Sequence, residues 1–369
     1  MLTFDLTDLG WDSGWAAAFA PYASDGLIPA RVAIEFNYIY RLYAEVGELQ
    51  AQHAGRMLHQ AEGRQHLSAV GDWVAARPSP GEATATIEAV LPRRTHFSRK
   101  VAGELTEEQI VAANIDTVFL VMGLDGDYNP RRLERYLLTS YESGARPVVL
   151  LTKADLANDV EGRVGEIQSL APGVPVHATI AVRRELPGGS VAEPEVQVVE
   201  QYLGPGRTGA MLGSSGAGKS TMINALVGTP VLKTREVRAS DSHGRHTTRH
   251  RQMIVLPGRG VMIDTPGMRE LQLWDVTEGA KDTFEDIDAL AAMCHFTDCR
   301  HQDEPRCAVK AAVAAGTVSA DRLESYLKLQ NELRDLDARR DVRARIEEKR
   351  RGKVMGRAIK QLYKGRERE

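Results

Sequence analysis

The chain has 369 residues, 43% of them hydrophobic and 26% charged, with a formal net charge of −3. That composition excludes a disordered or collagen-like chain and leaves room for two or three domains whose cores need no disulfides. No run of eighteen apolar residues offers a membrane span, and the acidic start "MLTFDLTDLGWDSGW" lacks a basic-then-apolar signal pattern, so a cytoplasmic protein without membrane contact is expected.

Residues 30–100 read as short strands: "RVAIEFNYIYRLYAEV", "HLSAVGDWVAAR" and "EATATIEAVLPRR". Gly, Pro and polar turns separate them at regular spacing, which predicts a small all-β barrel of the size of an oligonucleotide-binding fold. "LPRRTHFSRK" (91–100) then crowds arginines and a lysine around His96 and Phe97. It is either a polar exit linker or an edge that contacts phosphates.

From residue 115 the texture changes. "IDTVFLVM" and "ARPVVLLTKAD" are continuous apolar runs, as strands buried on both faces require. Between them Leu133, Tyr136, Leu137 and Tyr141 follow helical spacing behind an Asn129-Pro130 start. The alternation continues through "VPVHATI", "RTGAMLG", "KSTMINALVG" and "GVMIDTPG", predicting a parallel α/β sheet. After about residue 275 the pattern turns helical.

"GSSGAGKS" is a complete phosphate-binding loop: Gly213, Ser214, Ser215, Gly216, Ala217, Gly218, Lys219 and Ser220, with Thr221 next in the helix. Glycines let main-chain N–H groups point at phosphate oxygens, and the helix N-terminus adds partial positive charge. Lys219 is expected on the β- and γ-phosphates and the Ser220 hydroxyl on Mg²⁺. Asp264 ends an apolar strand at "IDTPG", suited to hold Mg²⁺ through water, while the Gly267 amide senses the γ-phosphate. Thr247 or Thr248 in "GRHTTRH" (244–250) supplies a hydroxyl to the metal, with Thr248 preferred.

Base choice rests on "TKAD". Asp155 can accept from guanine N1 and N2, which adenine does not match, and Lys153 packs over the ring. The familiar first residue is Asn, and Thr152 keeps a hydroxyl but loses the amide that steadies neighbouring loops. Ala178 in "VPVHATI" stands where a backbone N–H meets guanine O6, beside His177 in place of Ser. Met268 follows the Asp-Thr-Pro-Gly turn where a water-orienting Gln is usual, so intrinsic hydrolysis should be slow, and His246 is the best substitute.

The guanine reader precedes the phosphate loop, the reverse of the common order. Joining the usual termini and opening the domain elsewhere keeps every strand neighbour in place. The exit then falls just after the γ-phosphate-sensing turn.

The chain's three cysteines all lie in "CHFTDCRHQDEPRC". Cys294, Cys299, His301 and Cys307 form a closed Cys₃His set suited to one structural Zn²⁺, with His295 a poorer rival because it adjoins Cys294. Between Lys353 and Arg366 the tail carries no acid; it is either a solvated helix end or a phosphate-neutralising segment.

The ordered series "VGDWV", "LPRRTHFSR", "AANIDTVFLV", "NPRRLERYL", "GSSGAGKST", "GRHTT", "DTPGMREL" and the cysteine cluster resembles the circularly permuted, small-ribosomal-subunit-dependent GTPases of bacteria, the RsgA type. The resemblance implies a multidomain protein. Residues 1–99 would hold an N-terminal segment and an OB-type β-barrel, 100–274 a circularly permuted α/β P-loop GTPase domain, and 275–369 an α-helical zinc-binding domain with a basic tail. It further implies a protein that binds the small (30S) subunit and its 16S-type rRNA, hydrolyses GTP with Mg²⁺ under stimulation by the subunit, and uses His246 as the hydrolytic residue; no motif demands a dimer, so a monomer is expected. Two other classes fit the motifs alone: a metabolic P-loop kinase or ATPase, and a mainly structural RNA-binding protein.

Overall fold

The computed structural model describes residues 3–36, 38–61, 63–101, 107–182, 184–185, 191–232, 251–264, 284–296, 299–302, 304–320, 322–324, 326–327 and 330–331. The chain divides into two compact units, Met1–Thr283 and Phe284–Glu369.

The first unit begins with helix α1 (Ser13–Ala23), capped by Asp12, whose carboxylate accepts from the Trp15 N–H at 3.0 Å. Five strands follow: β1 (Ile28–Phe36), β2 (Ile39–Ala44), β3 (Gly47–His53), β4 (Trp73–Pro78) and β5 (Thr84–Val90). A short helix α2 (Gly55–Gln60) joins the third strand to the fourth. Strand β3, "GELQAQH", alternates buried and exposed at every step, the period-2 pattern of a sheet with one face inward. The strands run in the order β1-β2-β3-β5-β4, and β4 returns to β1, so the sheet closes into a five-stranded barrel. Small and large side chains fill its interior, among them Ala30, Val32, Tyr40, Leu42, Ile87 and Val74. Of "HLSAVGDWVAAR", only the part from Trp73 onward is strand; Arg64–His66 forms a 3₁₀ turn.

Strands β6 (His96–Val101) and β7 (Glu107–Ala113) pair antiparallel and lead out of the barrel. The α/β part then runs β8 (Thr117–Gly123), α3 (Pro130–Ser143), β9 (Arg146–Thr152), α4 (Val160–Leu170), β10 (Val176–Ala178), the short pair β11 (Arg184–Glu185) and β12 (Val191–Ala192), α5 (Gln197–Glu200), β13 (Thr208–Gly213), α6 (Lys219–Val227), β14 (Arg251–Leu256) and β15 (Gly260–Asp264). Every residue of β8 and of β13 is buried, which explains their unbroken apolar sequences. Helix α3 has the expected start: the Asn129 side chain accepts from Arg132 N–H, and Pro130 fills a position with no intrahelical donor to lose. It buries Leu133, Leu137 and Leu138, with Tyr136 and Tyr141 half-buried, and it stops at Gly144 in the left-handed region.

The strand order β10-β9-β8-β13-β15-β14 shows the permutation physically. The phosphate-loop strand β13 lies in mid-sheet between β8, which comes before it in the chain, and β15, which comes after. Within this strand order every pairing is parallel except that of β14 with β15, and the separate β11–β12 pair is antiparallel.

The basic stretch 91–100 is turned inward at its start. Arg93 grips the fully buried Asp72 carboxylate with both Nε (2.8 Å) and Nη2 (2.7 Å), and also donates to the carbonyls of Gln65 and Leu67. Arg94 pairs bidentately with Asp12 at 2.6 Å and stacks over Trp15, and the pairing holds the Asp12 carboxyl down at about 2. These two arginines brace the barrel and the α1 cap, so neither alternative for the stretch describes them.

The second unit contains α7 (Glu285–Ala291) and α8 (Ala308–Ala314), with the cysteine cluster between them in the chain. Among the described residues, no helix is long and apolar enough to cross a membrane. The basic tail beyond Asn331 lies outside the described residues.

Candidate nucleotide and metal sites

Strand β13 delivers the phosphate loop at the carboxyl end of the parallel sheet. Gly213 has no room for a side chain, because a Cβ there would collide with the Val121 carbonyl of β8. Gly218 stands at φ +96°, a conformation that favours glycine, and it turns the chain into α6. The first intrahelical bond visible here is Met222 N–H to Gly218 O, so the preceding amides of the helix start face the loop. Lys219 folds back over that loop: its ammonium donates to the carbonyl of Gly213 at 2.7 Å and to that of Ser214. An anion held by the loop amides would compete for the same ammonium, which is the electrostatic arrangement a polyphosphate needs. Ser220 and Thr221 are half-buried in the first turn of α6.

Two side chains hold the loop from outside. The Thr152 hydroxyl, at the end of β9, donates to the Ala217 carbonyl at 2.6 Å. The Ser214 hydroxyl donates to Asp127, 2.6 Å from either carboxylate oxygen. Asp127 is itself fixed by Arg132, 2.7 Å away, and by the Gly123 N–H at 3.3 Å. Thr152 lacks the amide of the usual Asn, and its hydroxyl supplies a link to the loop of its own. The hydroxyl makes that link directly, because β9 and β13 end one strand apart and the loop carbonyl comes to it.

Beyond Thr152 the chain bends at Lys153 (φ 59°) into a 3₁₀ turn, Ala154–Leu156, that carries the half-buried Asp155. The Lys153 ammonium lies 2.5 Å from Asp125, and its stem passes over Gly123. Burial raises the Asp125 carboxyl, but the Lys153 bond and the Asp127 N–H outweigh it and hold the group below the usual carboxylate range. Ala178 ends β10 opposite Leu151, and the next amide, Thr179 N–H, bonds the Leu151 carbonyl. His177 is engaged elsewhere: its Nε2 lies 2.6 Å from the Tyr202 hydroxyl, and burial pushes its pKa down. The acidic loop with Asp125 and Asp127 was not foreseen from the sequence. Its signal was the pair of aspartates in "GLDGDYNPRR" between a buried strand and a capped helix.

Asp264 closes β15 opposite Gln252 of β14. Thr247, Thr248, Gly267 and the proposed hydrolytic His246 lie outside the described residues.

In the second unit, one ligand atom from each of Cys294, Cys299, His301 and Cys307 lies within 4.8 Å of the others. His301 Nδ1 is 3.3 Å from the Cys307 sulfur and 3.6 Å from that of Cys294. His301 adopts a left-handed conformation (φ 59°), which aims its ring into the group, while its ring packs beside Tyr326. Cys307 also caps α8, its sulfur accepting from Lys310 N–H. His295 is exposed and packs against Phe296 instead. Three sulfurs and one imidazole nitrogen so arranged can hold a metal ion.

Residues 90–274 match the family model described as RsgA GTPase. The chain is 46% identical over 372 residues to the small ribosomal subunit biogenesis GTPase RsgA of Opitutus terrae, covering 98% of this chain and 99% of the relative. Among solved structures it resembles YjeQ from Thermotoga maritima, with a TM-score of 0.60, 27% identity, and coverage of 83% of this chain and 98% of that one. It also shares the fold of YloQ, a circularly permuted GTPase, with a TM-score of 0.55, 20% identity, and coverage of 84% and 96%. A phosphate loop in mid-sheet, tied to the Thr-Lys-Ala-Asp turn that precedes it in the chain, agrees with these likenesses. The chain belongs to the RsgA GTPase family and is a GTP-hydrolysing enzyme on a circularly permuted scaffold.

Proposed function

We propose that this GTPase is a switch of late small-subunit assembly: it binds the 30S particle through its rRNA, and the particle stimulates hydrolysis and release. The relatives' names point to small-subunit biogenesis. The observation that carries the reading is the fusion of a closed five-stranded barrel to the nucleotide-binding sheet in one compact unit. Such barrels present a nucleic-acid-binding face, and here that module shares a sheet with the phosphate loop.

In this reading the protein works as a cytoplasmic monomer. Its three parts divide at 99/100 and 274/275. Gly213 to Thr221 wrap the phosphates, and Lys219 neutralises the β- and γ-oxygens. Thr152, Lys153, Asp155 and Ala178 frame guanine, with Asp155 reading N1 and N2. Ser220 and Thr248, beside Thr247, would ligate Mg²⁺ and Asp264 would hold one of its waters; the ion supplies charge neutralisation at the transferred phosphoryl group. Gly267 senses the γ-phosphate and His246 orients the attacking water. The Cys₃His group fits one structural Zn²⁺, since it leaves no ligand position for a substrate.

The test is GTP turnover by the full chain with and without purified small subunits. Stimulation of about tenfold or more is expected, lost in His246→Ala with GDP binding intact. Equal turnover in both conditions would overturn the reading.

A further inference from the structure

Strand β1 changes partners midway. Its first half, Ile28 to Arg31, pairs with β4 and closes the barrel. A bulge interrupts its register with β2 between Val32 and Ile34, and beyond the bulge Ile34 and Glu35 pair with Gln252 and Arg251 of β14. Bulges bend a strand and increase its local twist, and here the bend takes β1 out of the barrel and onto the nucleotide-binding sheet. Barrel and sheet thereby become one eleven-stranded sheet.

The register gives this junction its meaning. Gln252 faces Ile34 on one side and Asp264 on the other. Barrel strand, β14 and the metal-side end of β15 thus form one row, and neighbouring strands lie about 4.8 Å apart. Among the described residues the pairing joins two residues of each strand, and an ion pair reinforces it: Arg251 Nη1 lies 2.8 Å from Glu35 Oε2, with the two side chains 12% and 17% exposed. Just past Glu35 the β1–β2 hairpin presents Phe36, Tyr38 and Ile39 to solvent, with the Arg64 guanidinium over the Tyr38 ring. A tip that exposes large apolar side chains adjoins a half-buried ionic joint, and the joint adjoins the strand end that carries Asp264.

We infer that Glu35 and Arg251 are positioning residues for GTP hydrolysis: their ion pair couples the barrel's β1–β2 hairpin to the Asp264 end of β15. Contact at the hairpin shifts β1, β1 carries β14 with it, and β14 moves the register row that ends at Asp264. Coupling of this kind is reciprocal, so nucleotide state must also be felt in the barrel strand. The inference rests on the proposed function for the role of Asp264 at the nucleotide and for the direction in which the signal runs in use.

Two measurements on the full chain separate the inference from that reading. In the free protein, amide exchange across residues 28–36 should differ between GDP and a non-hydrolysable GTP analogue, and Glu35→Gln should abolish the difference while leaving GDP affinity within about twofold of wild type. Identical exchange with both nucleotides in the wild type, or an unchanged difference in Glu35→Gln, overturns the inference whatever the subunit does. With small subunits present, Glu35→Gln and Arg251→Gln should each lower stimulated kcat about tenfold without changing co-sedimentation, and the swap Glu35→Arg with Arg251→Glu should recover most of it. Arg77→Gln, which breaks the barrel's Arg77–Glu88 pair away from this junction, should leave stimulated kcat unchanged. A loss as large in Arg77→Gln, or no recovery in the swap, reduces the Glu35–Arg251 pair to a structural contact. Absence of stimulation in the wild type removes the proposed function and leaves the exchange result standing.

Discussion

The two compact units hold themselves together by different means. In the first, a closed barrel and a buried sheet remove dozens of apolar side chains from water, each worth about 1.5–3 kcal/mol when fully buried. In the second, the described helices α7 and α8 have seven residues each, and the buried hydrophobic residues among those described are Phe284, Ile287, Cys307, Val309, Ala312, Val318 and Tyr326. Beside them lie four ligand atoms that could hold a metal ion. The first unit rests on buried area and the second carries a group that can hold a metal ion, so the two should respond differently to a chelator.

Metal removal should break the comparison most sharply. Structural zinc contributes about 10–16 kcal/mol of apparent binding free energy to small domains that fold around it. In the full chain, a chelator or Cys307→Ser should expose residues 284–331 to limited proteolysis while residues 3–232 stay protected and GDP still binds. Simultaneous loss of both would show that the first unit leans on the metal too.

Within the first unit the largest single-residue effect should come from a charge. Asp72 is fully buried, and Arg93 supplies its paired guanidinium. Removing one partner of a buried ion pair costs about 3–5 kcal/mol, because the other charge is left unpaired in a poor solvent. Arg93→Ala should lower unfolding free energy by that amount in urea. Arg93→Lys should recover only part, since an ammonium cannot reach both carboxylate oxygens and the carbonyls of Gln65 and Leu67. A loss below about 1 kcal/mol in Arg93→Ala would show that the buried Asp72 carboxylate does not depend on this guanidinium.

That pair also marks where sequence reasoning stopped. The phosphate loop, the caps of α3 and the cysteine spacing were legible because their requirements are local: Gly213 and Gly218 meet backbone demands, Asn129 and Gly144 stop orphan groups, and four ligands fall within fourteen residues. Arg93 and Arg94 read as phosphate contacts or linker because their partners, Asp72 and Asp12, are distant in the chain. The bond made by the Thr152 hydroxyl has no local signal for the same reason, since its acceptor, Ala217, belongs to another strand's loop. The β1–β14 pairing joins residues more than two hundred positions apart and has no local signature at all.

A smaller effect tests how the core-held unit holds its site. Thr152→Ala and Thr152→Val remove one hydrogen bond to the phosphate loop and should weaken GDP binding about fivefold to tenfold, the worth of a single buried bond. Preference for GDP over ADP should persist, because Asp155 is untouched. Thr152→Asn should bind at least as tightly as wild type. Fluorescent-nucleotide titration decides it, and wild-type affinity in Thr152→Val would remove the hydroxyl from any steadying role.

The last expected effect lies in the barrel and appears only as pH falls, where area is set against a buried titratable group. His53 is buried; its Nε2 accepts from the Ser68 N–H at 3.2 Å, and its Nδ1 has no partner among the described residues. The ring is thus built in neutral, and burial pushes its pKa down from 6.5 to about 4. The folded state binds fewer protons than the unfolded state between those values, so this contribution is complete above pH 6.5 and is lost as pH falls toward 4. The slope is at most about 1.4 kcal/mol per pH unit. His53→Gln keeps a hydrogen-bonding side chain that does not titrate, so the stability difference between wild type and variant should shrink steadily from pH 7 to pH 4.5. Parallel profiles would mean that water reaches the ring and that the barrel interior is less closed than its packing implies.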